Sequence, residues 1–224
     1  DSEYNKYIHL LEYGKKTGWD HAHITREGPF AVADPGINFI LLRANKDLLS
    51  IAEILNKDNH KAEIKKWLAY SEEAANYLWS DILKAYVARN IRNNLYTSGI
   101  SNVSFLSYYA NLNKSENEDD HYSTLIKFIK NTKYCIPSFD SEHHKFNPNK
   151  YWRGPVWIII NYMIAEGLSN YGLNEISKKI RNDVRNLIKK YGFYEYYNPL
   201  NGRGLGGNNF SWTAAIWLAW ASDS

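Results

Sequence analysis

Residues 154–191 read GPVWIIINYMIAEGLSN, then Tyr171 and Gly172, then LNEISKKIRNDVRNLIKKY, and this stretch decides the fold. Apolar residues spaced three and four apart mark one face of a helix. The spacing predicts two long amphipathic helices, about Gly154 to Asn170 and Leu173 to Tyr191, separated by Gly172. Pro155 suits the first turn of the first helix, where its missing N–H would be unpaired anyway.

The same spacing extends outward. A helix is expected from about Glu3 to Lys15, with Tyr4, Ile8, Leu11 and Tyr13 marking its buried side. Gly18 to Pro35 has Gly, Pro and no sustained period and is expected as a long loop. Gly36 to about Leu55 gives one helix or two short ones, and His60 to about Trp79 another. Ile82 to Gly99 suits a small β-hairpin or an irregular strand pair. Ser101 to Leu112 and Asp119 to Lys130 return to helical spacing, the second behind the acidic cluster Glu116, Glu118, Asp119 and Asp120, which suits a helix N-terminus. Ile136 to Lys150, with Pro137 and Pro148, is loop. A last helix is expected from about Phe210 to Ala221, with Asn209 and Ser211 offering N-cap chemistry. The fold class is all-α. Helix pairs separated by long, aromatic, Gly/Pro-rich loops favour a toroid of helical hairpins over a simple bundle, with function in the loops.

At 224 residues the chain fits one large domain able to bury roughly 70% of its unfolded surface. Charged residues are 23% and the net charge is +3, so no field argues for nucleic acid or an anionic membrane. No basic leader opens the chain, and no apolar stretch reaches the ~18 residues of a membrane span. The expectation is a soluble, cytoplasmic protein. Cys135 stands alone and forms no internal disulfide. Aromatics make up 15%, with 18 Tyr and 8 Trp; their flat apolar faces and hydrogen-bonding tips suit sugars as well as cores.

Three constellations carry chemistry. Tyr151-Trp152-Arg153-Gly154-Pro155-Val156-Trp157 places two indoles and a guanidinium where loop becomes helix, either a rigid wall with a cationic fork or a helix start pinned by aromatics. In Phe193-Tyr194-Glu195-Tyr196-Tyr197-Asn198-Pro199 a carboxylate stands among four rings; desolvated in this way it serves as a general base, and alternatively it is an exposed Glu between inward-facing rings on a short strand. In Thr17-Gly18-Trp19-Asp20-His21-Ala22-His23, Asp20 is a general acid, a helix cap or a surface charge. Gly202-x-Gly204-x-x-Gly207 matches a dinucleotide fingerprint in form only, without a βαβ unit and with 17 residues left for an acidic partner expected about 20 residues on. His21, His23, His143 and His144 lack the spacing of a zinc ligand set, so neither cofactor nor metal is expected.

These motifs, with Gly202-Arg203-Gly204-Leu205-Gly206 and the terminal Phe210-Ser211-Trp212-Thr213-Ala214-Ala215, resemble glycoside hydrolase family 63, most closely its mannosylglycerate/glucosylglycerate hydrolase and α-glucosidase branch. They fall in the family's order, with Trp157 and Glu195 38 residues apart. Thr17-Gly18-Trp19-Asp20 is similar to the family's Ser-Gly-x-Asp acid loop, although His21-Ala22-His23 stands where the family carries Asn-Ser-Pro. The resemblance implies an (α/α)6 barrel and an exo-acting inverting α-glycosidase, with Asp20 as general acid and Glu195 as general base. Gly18, Trp19, Tyr151, Trp152 and Trp157 would line the sugar pocket, and Arg153 would hold the motif or meet the substrate. About nine helices are expected where a closed barrel of six hairpins needs twelve. Residues 1–224 would therefore be one catalytic barrel domain or, more in keeping with this count, its C-terminal part, completed by an N-terminal partner chain or fragment. A non-catalytic sugar-binding or assembly subunit is the alternative.

Overall fold

The structure, a computed structural model, describes residues 2–112, 116–134 and 136–222; Cys135 lies outside the described residues. In chain order the elements are α1 (Ser2–Lys16), α2 (His21–Glu27), β1 (Val32–Ala33), α3 (Pro35–Ile54), α4 (Asp58–Ala75), β2 (Trp79–Ser80), β3 (Ala85–Tyr86), β4 (Arg89–Asn90), α5 (Leu106–Tyr109), α6 (Glu118–Lys130), α7 (Ile158–Asn170), α8 (Asn174–Tyr191), β5 (Tyr194–Tyr197), β6 (Gly204–Asn208) and α9 (Ser211–Ile216). Short 3-10 turns precede β2 and α5, and a π turn, Trp217–Ala221, extends α9. Among the described residues no helix is long and apolar enough to cross a membrane.

Periodicity explains the longest helices. In α8 the buried residues Ile180, Val184, Leu187 and Ile188 fall on one stripe, which packs on α7. Helix α3 runs unbroken for 20 residues from the Asp34 cap, whose carboxylate accepts the Ile37 N–H, and buries Phe39, Leu42 and Ala52. Helix α6 has Glu118, Asp119 and Asp120 in its first turn and Lys127 and Lys130 in its last, matching the helix dipole at both ends. Phe39, Leu68, Phe105, Leu125, Ile164 and Leu168 belong to one core, and Val156, Val184, Leu187, Tyr197 and Ile216 to a second; Trp220 packs against both.

The strands are short antiparallel pairs. Trp79 pairs with Tyr86 and Ser80 with Ala85, Arg89 bridges to Tyr96, and β4 pairs with β1. The expected strand pair is thus present, its first strand beginning three residues earlier. Hairpin β5–β6 pairs Tyr194 with Asn208 and Tyr197 with Gly204.

Four expectations are corrected. The loop Gly18 to Pro35 contains α2, a seven-residue helix with no buried residue, which therefore leaves no apolar period to read. Helix α7 starts at Ile158, not Gly154: Val156 exchanges backbone hydrogen bonds with Tyr197, which holds Pro155 and Val156 extended and outside the first turn. Helix α9 starts from Phe210 without a side-chain cap; Asn209, at φ +53°, stands one residue too early to cap it. Finally, Tyr4, Ile8 and Leu11 of α1 share a face as expected, but that face is exposed.

Candidate active site

The Val156–Tyr197 bridge builds the site. It sets the next residue of one segment beside the preceding residue of the other, and the Trp157 indole stacks on the Tyr196 ring with centroids 4.9 Å apart. Trp152 stacks on Trp157 at 4.2 Å and 7°. Tyr151 meets Trp152, Trp157 and Tyr196 edge-on. Its carbonyl accepts the Trp157 Nε1–H at 3.0 Å, and its backbone stands at φ +29°, a left-handed conformation uncommon for a non-glycine residue. Trp157 is 3% exposed and Trp152 44%. One indole anchors the platform and the other stands half in solvent. Arg153 is half-buried, and its backbone closes the turn below, donating to Lys150 O and accepting from Asn147.

Glu195 is half-buried on β5 at the edge of this platform. Between Tyr194↔Asn208 and Tyr196↔Leu205 the register slips, so one extra residue of β6 bulges opposite Glu195. Such a bulge re-aims side chains. Here Glu195 Oε2 accepts the Gly207 N–H at 3.2 Å and Oε1 accepts the Tyr151 hydroxyl at 3.4 Å. Gly206, in the bulge, has φ +70°, and an added Cβ would lie 2.5 Å from Glu195 Oε2. Only a residue without a side chain fits there. Burial raises the Tyr151 hydroxyl pKa, the Glu195 charge and hydrogen bond add to it, and Tyr7 of α1 is close enough to contribute. Burial, then Glu195, raises that of Tyr196.

Of the four rings expected around Glu195, Tyr196 alone joins the platform. Tyr197 is fully buried, its hydroxyl bonded to Gly192 O and the Tyr194 N–H; Phe193 packs edge-on against Trp217. Thr213 of α9 fixes the strand by donating to Tyr194 O at 2.7 Å.

Gly18, Trp19 and Asp20 form the junction of α1 and α2. Gly18 N–H bonds to Lys15 O and Trp19 N–H to Gly14 O, a helix-ending motif that favours glycine in the left-handed position; Gly18 has φ +62°. The exposed Trp19 ring lies over Gly14. Asp20 caps α2, accepting the His23 N–H at 2.9 Å. That bond, with further help from Ala22, His23 and Arg26, holds its carboxyl below the usual range. At the other end of α2, Arg92 donates to Arg26 O and Ile24 O. The bonds that hold Asp20 are local to α2, whereas Tyr151, Trp152, Trp157 and Glu195 come together at the platform.

A cleft of about 470 Å³ opens beside Trp152, lined among others by Asp34, Thr97, Ser98, Phe139 and His143, a size usual for small-ligand sites. His143 Nδ1 accepts the Lys145 N–H, so in neutral His143 the ring proton sits on Nε2, toward Ser98 Oγ at 3.5 Å. Tyr196, Gly206, Gly207 and these cleft residues were not singled out as site residues from sequence. The adjacent glycines Gly206-Gly207 were the available signal. Among the described residues, no group of three or more His, Cys, Asp or Glu side chains is gathered for a metal ion.

Helical hairpins thus carry loops that gather a carboxylate, Glu195, at the edge of a tryptophan platform. The chain belongs to the mannosylglycerate hydrolase MGH1-like glycoside hydrolase domain family, whose model matches residues 1–213. It is 36% identical to mannosylglycerate hydrolase MGH1 of Selaginella moellendorffii over 98% of this chain and 45% of that protein. The fold superposes on the family 63 mannosylglycerate hydrolase of Thermus thermophilus, solved with glucose, with a TM-score of 0.93 at 33% identity, over 99% of this chain and 56% of that one. Neutral trehalase Nth1 of Saccharomyces cerevisiae shares the fold at 18% identity, with a TM-score of 0.65 over 81% of this chain and 36% of the trehalase. The architecture is thus that of the six-hairpin glycosidases. The chain spans about half the length of the curated relatives it matches.

Proposed function

We propose that this chain carries both catalytic carboxylates of an exo-acting, inverting α-glycosidase that hydrolyses an α-glucoside or α-mannoside such as glucosylglycerate, mannosylglycerate or a short α-glucan. The observation that carries this reading is Glu195 held at the edge of the Trp152–Trp157–Tyr196 stack by one protein donor on each oxygen. A carboxylate has about four acceptor sites; two remain, enough to orient a water and take its proton. Apolar C–H faces of a sugar ring suit the exposed face of Trp152. In an inverting enzyme the base and acid stand about 6.5–9.5 Å apart, with the water between base and sugar.

Asp20 is the proposed acid. As a cap on exposed α2 it is held ionised by the His23 N–H; donating a proton requires burial by substrate and surrounding protein, which favours the neutral carboxyl. Gly18 and Trp19 position that loop, and Tyr151, Arg153 and Trp157 support the sugar subsite. The coverage of about half of the relatives favours one second reading, a sugar-binding or assembly subunit that an N-terminal partner chain or fragment completes. Glu195→Gln decides the catalytic role. Loss of hydrolysis of glucosylglycerate and mannosylglycerate by about 10²-fold or more, with sugar binding retained, is expected; a variant as fast as the parent overturns it. Binding without turnover by the parent chain in calorimetry, in a sample free of other polypeptides, selects the second reading.

A further inference from the structure

Helix α2 is seven residues long and buries no side chain. Isolated helices shorter than about 12 residues are marginal in water, so its place in the fold depends on what holds its two ends. At its start Asp20 is the N-cap, and the His23 ring stacks on the Tyr13 ring of α1, with Nε2 3.0 Å from the Tyr13 hydroxyl. At its finish, the last four carbonyls of a helix have no partner within it. Arg92, 66 residues beyond Arg26 in sequence, meets three of those four in α2. Its Nε donates to Arg26 O at 3.1 Å, and its Nη2 to Ile24 O at 3.1 Å and Thr25 O at 3.3 Å. A guanidinium suits this use, since its donors stand in a planar fork and it keeps its charge at any working pH.

Arg92 is itself set in a built turn. Its own N–H and that of Asn93 donate to Asn90 Oδ1, the Ile91 N–H donates to Ala31 O, and Asn90 pairs with Val32 of β1. Below the turn the Asn90 N–H bonds to Leu95 O and the Thr97 N–H to Ala88 O, and Ala88 and Thr97 line the cleft that Trp152 also lines. The guanidinium therefore stands at the tip of a hairpin, residues 88–97, whose base borders the platform carrying Glu195.

We propose that Arg92 is the positioning residue of Asp20: through three carbonyls of α2 it ties the acid-bearing helix to the 88–97 hairpin, and so fixes Asp20 relative to the Trp152–Trp157–Tyr196 platform and Glu195. The inference rests on the reading of Asp20 as the general acid. A base and an acid on separate elements need a common frame, because an inverting pair works only over a separation of about 6.5–9.5 Å and a displacement near 1 Å costs about 10²-fold. With its donors on the α2 backbone, Arg92 acts on the reaction through Asp20 and transfers no proton itself.

Two readouts on the whole chain test this, the first of them free of turnover. Arg92→Ala should speed amide exchange at Ile24 and Gly28, whose N–H groups bond to Asp20 O and Ile24 O, by about tenfold or more, and leave exchange at Val184 of α8 unchanged. Kinetics then reads whether the effect passes through the acid. In Arg92→Ala, kcat for glucosylglycerate or mannosylglycerate should fall about tenfold or more with KM within about twofold. On the matching α-glycosyl fluoride, whose leaving group needs no proton, kcat should fall less than about threefold. Arg92→Lys, which keeps a cationic donor near the same carbonyls, should fall between Arg92→Ala and the parent in both readouts. Unchanged exchange in Arg92→Ala overturns the proposal, and so do equal kcat losses on the two kinds of substrate, which would make Arg92 a structural tie only. Asp20→Asn separates the two failures. A parent chain that turns over neither substrate, or an Asp20→Asn variant with full activity on glucosylglycerate and mannosylglycerate, fails the catalytic reading and takes this inference with it. An active parent that loses hydrolysis in Asp20→Asn and keeps it in Arg92→Ala fails this inference alone.

Discussion

Val156 and Tyr197 exchange backbone hydrogen bonds in both directions, 2.7 Å from Val156 N–H and 3.0 Å from Tyr197 N–H. This one bridge ties the segment entering α7 to strand β5. Through it, two motifs 38 residues apart in sequence share a single aromatic stack, with Glu195 at its edge.

The two indoles of the stack separate stability from binding. Trp157 is buried, so Trp157→Ala should cost about 3–5 kcal/mol of unfolding free energy, measured by urea denaturation. Trp152 stands half in solvent; Trp152→Ala should change stability by less than about 1 kcal/mol while weakening sugar binding about tenfold or more by calorimetry. Equal stability losses in the two variants would refute this division.

Gly206 and Gly207 make a matched pair of tests for the bulge. An alanine at 206 meets Glu195 Oε2 and a left-handed backbone, whereas at 207 nothing stands within 4 Å of an added Cβ. Gly206→Ala should cost about 1–2 kcal/mol for the backbone alone and, by moving Glu195, lower kcat about 10²-fold, the scale expected of a displacement near 1 Å. Gly207→Ala should leave kcat within about threefold, a change worth under 1 kcal/mol. Steady-state kinetics on both variants checks the contrast.

Burial of His121 should make the fold sensitive to acid. It is buried between the rings of Phe105 and Tyr108, with Ser104 Oγ 3.2 Å from Nε2, and burial pushes its pKa from 6.5 down to about 3. Unfolded chains take up a proton at His121 as the pH falls below about 6.5, and folded chains do not until about pH 3. Stability should therefore fall with pH across that window, with a slope of up to about 1.4 kcal/mol per unit from this residue. Chemical denaturation at pH 7, 6, 5 and 4 should give a smaller slope for His121→Phe than for the parent. An unchanged slope would remove His121 as the cause.

The helical part of the fold was legible where a helix buries one stripe in its own chain, as Ile180, Val184, Leu187 and Ile188 do on α8. On α1 the stripe was legible and its burial was not, because periodicity reports a face and says nothing of what covers it. Helix α2 escaped notice because capping and the Arg92 bonds hold it without apolar burial. At the site, Trp152, Trp157 and Glu195 were legible through their motifs and the resemblance those motifs carry. The placement of Tyr196 and Gly206 depends on a one-residue slip of strand register, which no local pattern of residue types encodes.

Asp20 has two separable duties in the proposed enzyme, and substitution can divide them. Asparagine caps helices as well as aspartate does but carries no proton to donate; alanine does neither. Asp20→Asn should keep α2 formed, with amide exchange at His23, Ile24 and Gly28 unchanged, while hydrolysis of an unactivated α-glycoside falls about 10²-fold or more. An activated substrate, whose leaving group needs no proton, should lose far less. Asp20→Ala should lose the same activity and also speed exchange through α2. If Asp20→Asn retained full activity on the unactivated glycoside, Asp20 would be a cap and nothing more, and the proton donor would have to be sought elsewhere, first at Asp34 in the cleft beside Trp152.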